Sequence, residues 1–285
     1  MQSQSRYPAP RITLLSDFGL QDEYVAVLKG VILGICPSAK IVDISHLVPP
    51  QDVAGASLLL SRAAPFFPEG TVHLAIVDPQ VGSDRAILVI ASQGHLFVGP
   101  DNGLFSFLFE KDTNFRIFRV NLALLEGPPA SATFHGRDIM APLAAKLAGG
   151  ADPASLGTEI SADLCRKLAR SRPRRVGSTL HGEIIRVDTF GNLCSNLQQS
   201  DFTHGVPLAA LTVILGDGRV VPLVRTYAEA GHRPVIALFD SNGFLEIACN
   251  LGNAAQQLAL GPGAPFIVVE NLSGTAEEID TQRKI

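Results

Sequence analysis

Short apolar runs alternate with helix-patterned segments through the first hundred residues, and this alternation limits the possible folds more than any other feature. The runs at residues 11–16, 39–44 and 71–77 have the length and apolar content of strands. Between them, residues 22–36 and 52–64 carry apolar side chains three or four positions apart, as in an amphipathic helix. Strands that alternate with helices predict an α/β domain with a mostly parallel sheet flanked by helices.

The same pattern continues with strand-like runs at residues 86–91 and 96–98 and a helix over 136–147. It changes after a polar, proline-containing stretch at 171–175, which is typical of a linker. The later strand-like runs, separated by Gly, Asn and Asp turns, are at 182–187, 211–215, 220–224, 235–239, 244–248 and 266–269.

Short strands with regular turn signals are typical of a small barrel or sandwich. We therefore predict two domains, an N-terminal α/β domain over residues 1–172 and a smaller β-rich C-terminal domain over residues 178–285.

Composition excludes several classes of protein. Asp and Glu total 27 against 23 Lys and Arg, so the chain lacks the basic excess of a nucleic-acid-binding protein. No run reaches the roughly 18 apolar residues of a membrane helix, and the N-terminus has no apolar signal core. The 4 cysteines are scattered without a CxxC pair, so we expect no metal site, no disulfides and a cytoplasmic location.

Polar side chains follow three of the predicted strands. Asp17 follows the first strand, His46 the second and Asp78 the third. Ligands of open α/β sheets bind outside the carboxyl ends of the strands, so these positions are candidates for one site. We assign no role to His46 from the sequence alone.

Asp17 and Asp22 lie between the first strand and the first helix. Asp is a preferred helix N-cap, and capping is the favoured interpretation of Asp22, whereas Asp17 fits a turn or a ligand contact equally well. A carboxylate at this place suits a ribose diol. The phosphate-binding patterns GxGxxG and GxxxxGK[ST] are absent, so a nucleoside without phosphates fits better than a dinucleotide or a nucleoside triphosphate.

Asp78 and Arg85 flank a turn that contains Pro79 and Gly82, so the guanidinium can fold back onto the carboxylate. An Asp kept ionised by Arg suits the orientation of a water molecule, although a structural ion pair is equally compatible with the pattern. His135 precedes a predicted helix, where the neutral imidazole is favoured, but a lone His is more often structural than catalytic. No metal-ligand spacing accompanies it.

Two turn-like segments stand out in the second domain. One contains Asp188, Phe190 and Asn192, and the other contains Ser241 and Asn242. Hairpin turns favour Asn and Gly, so ordinary turns explain both segments. Alternatively, their polar and aromatic side chains hold an amino acid and a purine.

Seven motifs, in order along the chain, resemble those of the S-adenosylmethionine hydroxide adenosyltransferases, which are relatives of fluorinases and chlorinases. They are SDFGLQDEYVAVLKG at 16–30, VDISH at 42–46, VDPQVGSDR at 77–85, GPDNG at 99–103, FHGRDIMAP at 134–142, DTFGN at 188–192 and NGFLEIACNLGNAA at 242–255. The resemblance covers nearly the whole chain.

The resemblance implies an enzyme in which water or hydroxide attacks ribose C5′ of S-adenosylmethionine, forming adenosine and methionine without a cofactor. It implies a water-handling triad of Asp78, Arg85 and His135. The implied substrate contacts are Asp17 at the ribose, Asp22 and Asp188 near the methionine ammonium, Ser241 at the methionine carboxylate, and Phe190 and Asn192 around the adenine. It also implies a homotrimer whose sites lie between the N-terminal domain of one subunit and the C-terminal domain of the next.

The chain has no Trp and only 3 Tyr, so stacking on a purine falls mainly to Phe. Phe18 and Phe244, like Phe190, lie within the motifs and are predicted substrate contacts. Asn242 is also a predicted contact, at a position where halogenating relatives carry an Arg.

Two departures from the family pattern affect the expected chemistry. Gln80 replaces a Gly of the usual DPGVG motif, which predicts a change in the geometry of that loop. Asp78 stands where halogenating relatives have Tyr, and their extra loop is absent. Both of these last differences favour hydroxide over halide, since an anionic Asp repels a halide.

Three other functions remain as alternatives. The first is halide transfer to the same C5′, and the second is a non-catalytic protein that binds adenosine or S-adenosylmethionine. A methyltransferase is a weaker alternative, because no glycine-rich loop follows the first strand.

Overall fold

A computed structural model describes residues 9–111, 114–124, 130–169 and 171–271 of the 285-residue chain. These residues form two compact units that divide after Ala169. None of the helices in these ranges is long and apolar enough to cross a membrane.

The first unit is built on a seven-stranded sheet in the order β2-β1-β3-β5-β4-β6-β7. Its strands are β1 (Arg11–Ser16), β2 (Lys40–Ser45), β3 (Val72–Ile76), β4 (Ile87–Ser92), β5 (His95–Pro100), β6 (Phe115–Val120) and β7 (Gly157–Ile160). β1 pairs in parallel with β2 and β3, and β3 with β5, whereas β4, β6 and β7 add antiparallel pairings. The predicted α/β class is confirmed, and the sheet is mixed, with its parallel half at the β2 edge.

A two-residue turn explains why the sheet changes direction at β4. Gln93 and Gly94 join β4 to β5, and both have positive φ, 51° and 78°. Positive φ at both central residues is the requirement of the tight turn that connects antiparallel strands. This turn makes β4 and β5 an antiparallel hairpin, and the pairings of β4 with β6 and of β6 with β7 are antiparallel as well.

Helices cover both faces of this sheet. They are α1 (Tyr24–Ile35), α2 (Val53–Ala63), α3 (Leu108–Lys111) and α4 (Ala141–Ala148), with a π-helical turn over Gly136–Met140 ahead of α4. Leu74 in β3 packs in one buried core with residues of α1 and α4, and its neighbour Ala75 packs in a second core with residues of α2. Side chains alternate along a strand, so α1 and α4 lie on one face and α2 on the other.

The two helices that begin near the carboxyl ends of β1 and β2 start differently. Asp52 caps α2, since its Oδ1 accepts a hydrogen bond of 2.8 Å from the Gly55 N–H. Such a cap contributes about 1 kcal/mol. The N-cap of α1 is Glu23, whose side chain makes no capping bond, so the predicted capping role of Asp22 is wrong.

The second unit is an eight-stranded antiparallel sheet with a separate buried core. Its elements are β8 (Arg174–Val176), β9 (Thr179–Val187), β10 (Leu193–Gln198), β11 (Leu211–Leu215), β12 (Val220–Val221), β13 (Ile236–Phe239), β14 (Phe244–Ala248), α5 (Ala254–Leu258) and β15 (Pro265–Glu270). The end strands of the order β12-β11-β15-β9-β10-β14-β13 approach one another, because Ala237 in β13 bonds to Pro222 and Val224 just after β12. The sheet is therefore nearly closed, as the predicted barrel-like class requires.

Four strands of the structure were not predicted from the sequence. One is β8, whose three residues are all exposed and overlap the stretch interpreted as a linker. β7 has only four residues at the edge of its sheet, with none fully buried, so it lacks an apolar run. β6 alternates apolar and arginine residues, and β10 overlaps a segment that was interpreted through its turn residues. None of these segments has a strong strand pattern of its own, because each forms a strand mainly through pairing with a neighbouring strand.

Candidate active site

A cavity of about 740 Å³ opens in the first unit where the chain leaves β1 and β3. Its wall is formed by Asp17, Phe18, Glu23, Tyr24, Val27, Gln51, Ile76, Asp78, Pro79, Val81, Ser131, Thr133, Phe134, His135, Gly136 and Arg137. Asp17 directly follows β1, and Asp78 lies two residues after β3. Because these strands are parallel neighbours, their carboxyl ends bring the two carboxylates to one edge of the sheet.

Asp78 and Arg85 form a buried ion pair beside this cavity. Arg85 Nε lies 2.8 Å from both carboxylate oxygens of Asp78, and Nη2 also donates to Oδ2. The two side chains are only 5% and 1% exposed, respectively. Charge-assisted bonds from one guanidinium to both oxygens fix the orientation of the carboxylate as well as its position.

The same guanidinium determines the protonation state of His135. Arg85 Nη2 lies 3.1 Å from His135 Nδ1, and an arginine nitrogen can only donate. His135 Nδ1 is therefore an acceptor, which makes the ring neutral with its proton on Nε2. Burial lowers the pKa of His135 and the Arg85 charge lowers it further, while Asp78 and Asp138 act in the opposite direction.

The turn between Asp78 and Arg85 tolerates the Gln80 substitution. The positive φ in this turn, 83°, is at Gly82, not at Gln80. Gln80 Oε1 instead accepts a hydrogen bond of 2.5 Å from Arg166 Nη1. Gln80 therefore causes no left-handed strain in this turn, because that conformation falls on a residue that is still Gly.

Asp17 is held by a contact that the sequence did not reveal. The backbone N–H of Gln51 donates to Asp17 Oδ2 at 2.8 Å, although the two residues are 34 positions apart. Gln51 has a φ of 68°, which is unusual for a residue other than Gly. Its place in the cavity wall follows from the β2–α2 connection, which no local pattern predicts.

Three aromatic rings line the cavity together. Phe18 and Tyr24 have ring centroids 5.7 Å apart, and Phe134 lies 6.0 Å from Phe18 and 5.4 Å from Tyr24. The sequence indicated Phe18 as a contact but not the other two rings. Tyr24 is the first residue of α1 and is 41% exposed, at the end of the helix where the cavity opens. Asp22, another predicted contact, is not among the residues of the cavity wall.

The predicted contacts of the second unit lie in two tight turns. Asp188 Oδ1 accepts from the N–H groups of Phe190 and Asn192 at 2.8 and 2.9 Å, and Oδ2 accepts from Asn192 Nδ2 at 3.0 Å. These bonds bury Asn192 and leave the Phe190 side chain 77% exposed.

The second turn joins β13 to β14. Asp240 Oδ1 accepts from the N–H groups of Asn242 and Phe244 at 2.8 and 2.9 Å, which leaves Ser241 and Asn242 exposed at the tip. The turn interpretation is thus sufficient for the backbone of both segments, and their ligand roles remain predictions.

One group of possible metal ligands is present among the described residues. Asp188, Cys194 and Glu246 each bring a ligand atom within 4.8 Å of the others. Both Asp188 oxygens already accept hydrogen bonds, and Tyr227 Oη donates to Glu246 Oε1 at 2.6 Å. The group fits a hydrogen-bond network better than a metal site. No pattern in the sequence indicated that Tyr227 and Glu246 contact each other.

Comparison with protein families matches both units. The SAM hydroxide adenosyltransferase N-terminal domain matches residues 12–157, and the corresponding C-terminal domain matches residues 182–267.

Curated relatives cover most of the chain. The (R)-S-adenosyl-L-methionine hydrolase of Thermus thermophilus is 39% identical over 262 residues, which are 89% of this chain and 97% of that protein. A fluorinase of an Actinoplanes species is 30% identical over 292 residues, covering 92% of this chain and 98% of that protein. A crystal structure of an uncharacterised conserved protein from Thermotoga maritima is 34% identical, with a TM-score of 0.83 over 91% of this chain and 100% of that one.

Proposed function

The chain belongs to the SAM hydroxide adenosyltransferase family, and from this premise we propose that it hydrolyses S-adenosyl-L-methionine to adenosine and L-methionine. The observation that carries the proposal is the buried Asp78–Arg85 pair, joined to His135, in a cavity that also contains Asp17. This arrangement supplies a hydrogen-bond acceptor for water next to a carboxylate suited to a ribose.

The reaction forms a bond from the water oxygen to C5′ and breaks the bond from C5′ to the sulfonium sulfur. The electron pair of the broken bond goes to sulfur, which becomes the neutral thioether of methionine. The sulfonium is a good leaving group, so the site needs no acid for it. Orientation of the nucleophile contributes most of the catalysis, and effects of this kind supply roughly 7–11 kcal/mol.

Asp78 is the residue that accepts a proton from water in this mechanism. Its Oδ2 accepts from both Nε and Nη2 of Arg85, whereas Oδ1 accepts from Nε alone and retains a second lone pair for the water molecule. His135 has the complementary role, because its Nε2 carries a proton and donates. Water held between an acceptor and a donor keeps a lone pair for C5′, and the released proton passes to Asp78 and then to solvent.

Asp17 binds the ribose in this proposal. Gln51 donates to its Oδ2, which leaves further lone pairs for the two ribose hydroxyls. Phe18, Tyr24 and Phe134 supply the apolar wall around the reacting carbon. Excluding water other than the nucleophile strengthens the bonds made by Asp78 and His135.

The negative charge of the Asp78 carboxylate also supports hydroxide transfer over halide transfer. A halide needs hydrogen-bond donors, and the Asp78 carboxylate repels an anion at the position of the nucleophile. The fluorinase relative is more distant in sequence than the hydrolase relative, at 30% against 39% identity.

The proposal includes a cytoplasmic homotrimer whose sites are completed by the C-terminal domain of a neighbouring subunit, as the family resemblance implies. Within the second unit, the exposed side chains of Phe190 and Leu251 support an apolar contact with another chain, since they are 77% and 102% exposed. Four buried, free cysteines are consistent with a reducing compartment.

The test is incubation of the purified protein with S-adenosyl-L-methionine in water enriched in oxygen-18, with mass analysis of the products. We expect adenosine and methionine in equal amounts, with the label in the adenosine 5′-hydroxyl. Asp78→Asn is the matched control, because it keeps the shape of the side chain but removes its charge. Adenosine formation no faster than without enzyme, or adenosine without the label, would contradict the proposal.

A further inference from the structure

We propose that His46, which is not part of the cavity wall, is a positioning residue that fixes Asp17 for binding of the ribose. The inference rests on the proposed function only for the assignment of the ribose to Asp17. His46 follows β2 and is 3% exposed, so it has no access to a ligand.

His46 contacts the turn after β1 on both sides of Asp17. On one side, its Nδ1 lies 2.7 Å from Ser16 Oγ. On the other side, its carbonyl oxygen accepts a hydrogen bond of 2.8 Å from the Gly19 N–H. Gly19 has a φ of 71°, so the chain reverses sharply at the residue that His46 holds. Asp17 thus lies between two anchors on a single residue.

The direction of each hydrogen bond in this set is determined by its neighbours. His46 Nε2 lies 3.1 Å from Asp43 Oδ1, a charge contact that lacks hydrogen-bond geometry but still favours the proton on Nε2. Nδ1 is then the acceptor, so the Ser16 hydroxyl donates to it. Ser16 Oγ in turn accepts from the Phe18 N–H at 3.3 Å. The resulting chain of hydrogen bonds runs from His46 through Ser16 to the backbone next to Asp17, and the Asp43 carboxylate contacts its outer end.

A salt bridge holds the outer end of this chain. Lys29 Nζ in α1 lies 2.6 Å from Asp43 Oδ2, while Asp43 Oδ1 faces His46. The pair is partly exposed, so its own contribution to stability is small. Its effect on the site is to keep the carboxylate directed at the imidazole.

The same three residue types form nucleophilic triads in hydrolases, but this set has a different role. Ser16 is 1% exposed, so no substrate reaches its Oγ. The hydroxyl instead orders the backbone of Phe18. A displacement of about 1 Å in a group that orients a substrate can cost roughly 100-fold in rate. The position of the Asp17 carboxylate, which the turn after β1 sets, therefore affects the rate.

The experiment compares adenosine with 2′,3′-dideoxyadenosine, which lacks the hydroxyls that Asp17 binds. Calorimetry measures both affinities for the wild-type protein, His46→Asn and His46→Gln. The Asn side chain places an acceptor near the position of Nδ1 and keeps the bond with Ser16. The Gln side chain reaches towards Asp43 but has no acceptor near Ser16.

We expect His46→Gln to lose about 10-fold or more in adenosine affinity, the effect of a bond to a charged group, with little change for dideoxyadenosine. His46→Asn should stay within about 3-fold of wild type for both nucleosides. In turnover, His46→Gln should raise KM for S-adenosyl-L-methionine much more than it lowers kcat. An equal loss for both nucleosides in His46→Gln, or no loss for either, would overturn the inference.

Ser16→Ala and Ser16→Thr give a second test if His46→Gln does not fold. Ala removes the hydroxyl and should reproduce the selective loss of adenosine affinity, whereas Thr keeps it and should not. Equal behaviour of the two variants would also overturn the inference. If the wild-type protein prefers adenosine over dideoxyadenosine but forms no adenosine from S-adenosyl-L-methionine, the proposed hydrolysis fails, and the selective loss in His46→Gln still decides the role of His46.

Discussion

Arg85 binds both oxygens of Asp78 through a single guanidinium, with Nε 2.8 Å from each oxygen. The pair is almost completely buried, so water does not compete for these bonds. Removal of one partner from such a pair costs about 3–5 kcal/mol, because the other charge stays buried. The pair therefore links the stability of the site to its chemistry, and variants must separate the two.

Asp78→Asn should reduce kcat for S-adenosyl-L-methionine hydrolysis by roughly 10²–10⁴-fold, the usual contribution of a general base. The amide keeps the volume of the side chain but accepts a proton poorly. Adenosine affinity should change by less than about 3-fold, because Asp17 binds the ribose separately. Single-turnover kinetics and calorimetry measure the two quantities. Retention of wild-type kcat in Asp78→Asn would remove Asp78 from the mechanism.

Protonation of His135 should lower kcat at acid pH, so that the plot of kcat against pH has an acidic limb. Burial and the Arg85 charge hold the pKa of His135 below its ordinary value, so the ring is neutral at neutral pH. Protonation at lower pH puts an N–H against the Arg85 guanidinium and breaks the contact at Nδ1. We therefore expect kcat to fall as pH drops below the ordinary imidazole range.

A matched pair of variants locates this limb. His135→Asn places an acceptor near Arg85 and His135→Gln places a donor near the position of Nε2, and neither side chain titrates. Both variants should have a lower kcat than the wild type, and their kcat should no longer fall at acid pH through titration of residue 135. If kcat still falls at acid pH to the same extent in both variants, a group other than His135 causes the acidic limb.

Tyr24 should contribute to substrate binding through its ring. Its centroid lies 5.7 Å from that of Phe18 and 5.4 Å from that of Phe134, so the three rings hold one another in place. Tyr24→Leu should raise KM about 2–10-fold, in proportion to the usual energy of aromatic pairs. Tyr24→Phe keeps the ring and should match the wild type. If Leu and Phe give the same KM, the ring contacts do not affect the substrate.

The sequence was most informative where chemistry and strand ends coincide. Asp17 and Asp78 follow apolar runs that were predicted to be strands. Because the carboxyl ends of parallel strands meet at one edge of a sheet, the sequence alone placed both residues there. Arg85 was predicted to return to Asp78 because the intervening turn contains Gly82. These are local patterns, or patterns that follow from one general rule of topology.

The remaining parts of the site depend on contacts between distant segments. Gln51 contacts Asp17, which lies 34 residues earlier in the chain. Its positive φ is not indicated by the local sequence, in which a Pro precedes it. His46 was placed at the end of the second strand, but nothing in the sequence indicated its contacts with Ser16 and Gly19. The mutual packing of β1, β2 and α2 brings these residues together, and a single sequence does not contain that information.

Glu270 should stabilise the second unit at neutral pH. Bonds from Arg175, followed by bonds from Thr203, lower its pKa from the model-compound value of 4.5 to about 2. A depressed carboxyl pKa stabilises the fold above 4.5, and this contribution is lost as the pH falls towards 2. Because Arg175 is partly exposed, we expect a contribution on the order of 2 kcal/mol.

Glu270→Gln tests this contribution in urea unfolding at neutral and acid pH. The variant should be less stable than wild type at neutral pH, and the difference should shrink as the pH falls. Arg175→Lys is the control, since it keeps a positive charge but loses the two-bond geometry and should give a smaller loss. A difference that does not change with pH would assign the effect to packing instead of charge.

The first unit should lose stability in acid through a buried histidine pair far along the strands from the cavity. His73 in β3 is fully buried, with its Nδ1 2.8 Å from Thr13 Oγ1 and its Nε2 3.3 Å from Nδ1 of His95. Burial, followed by the charge of His95, lowers the pKa of His73 from 6.5 to about 3. Protonation thus favours the unfolded state, so stability is complete above pH 6.5 and declines between 6.5 and about 3, with a total on the order of 5 kcal/mol.

Hydrogen exchange of peptides from β1, β3 and β5 measures this loss within the first unit alone. Protection should fall with pH in the wild type and much less in a Thr13→Val/His73→Phe double variant. Replacing both partners by apolar side chains of similar shape avoids an unpaired hydroxyl, so the double variant should keep its protection at neutral pH. The stacking of His73 on Phe97, with centroids 4.9 Å apart, is compatible with a phenyl ring in its place. The same acid sensitivity in the double variant would show that other groups, not His73, control the acid stability of this sheet.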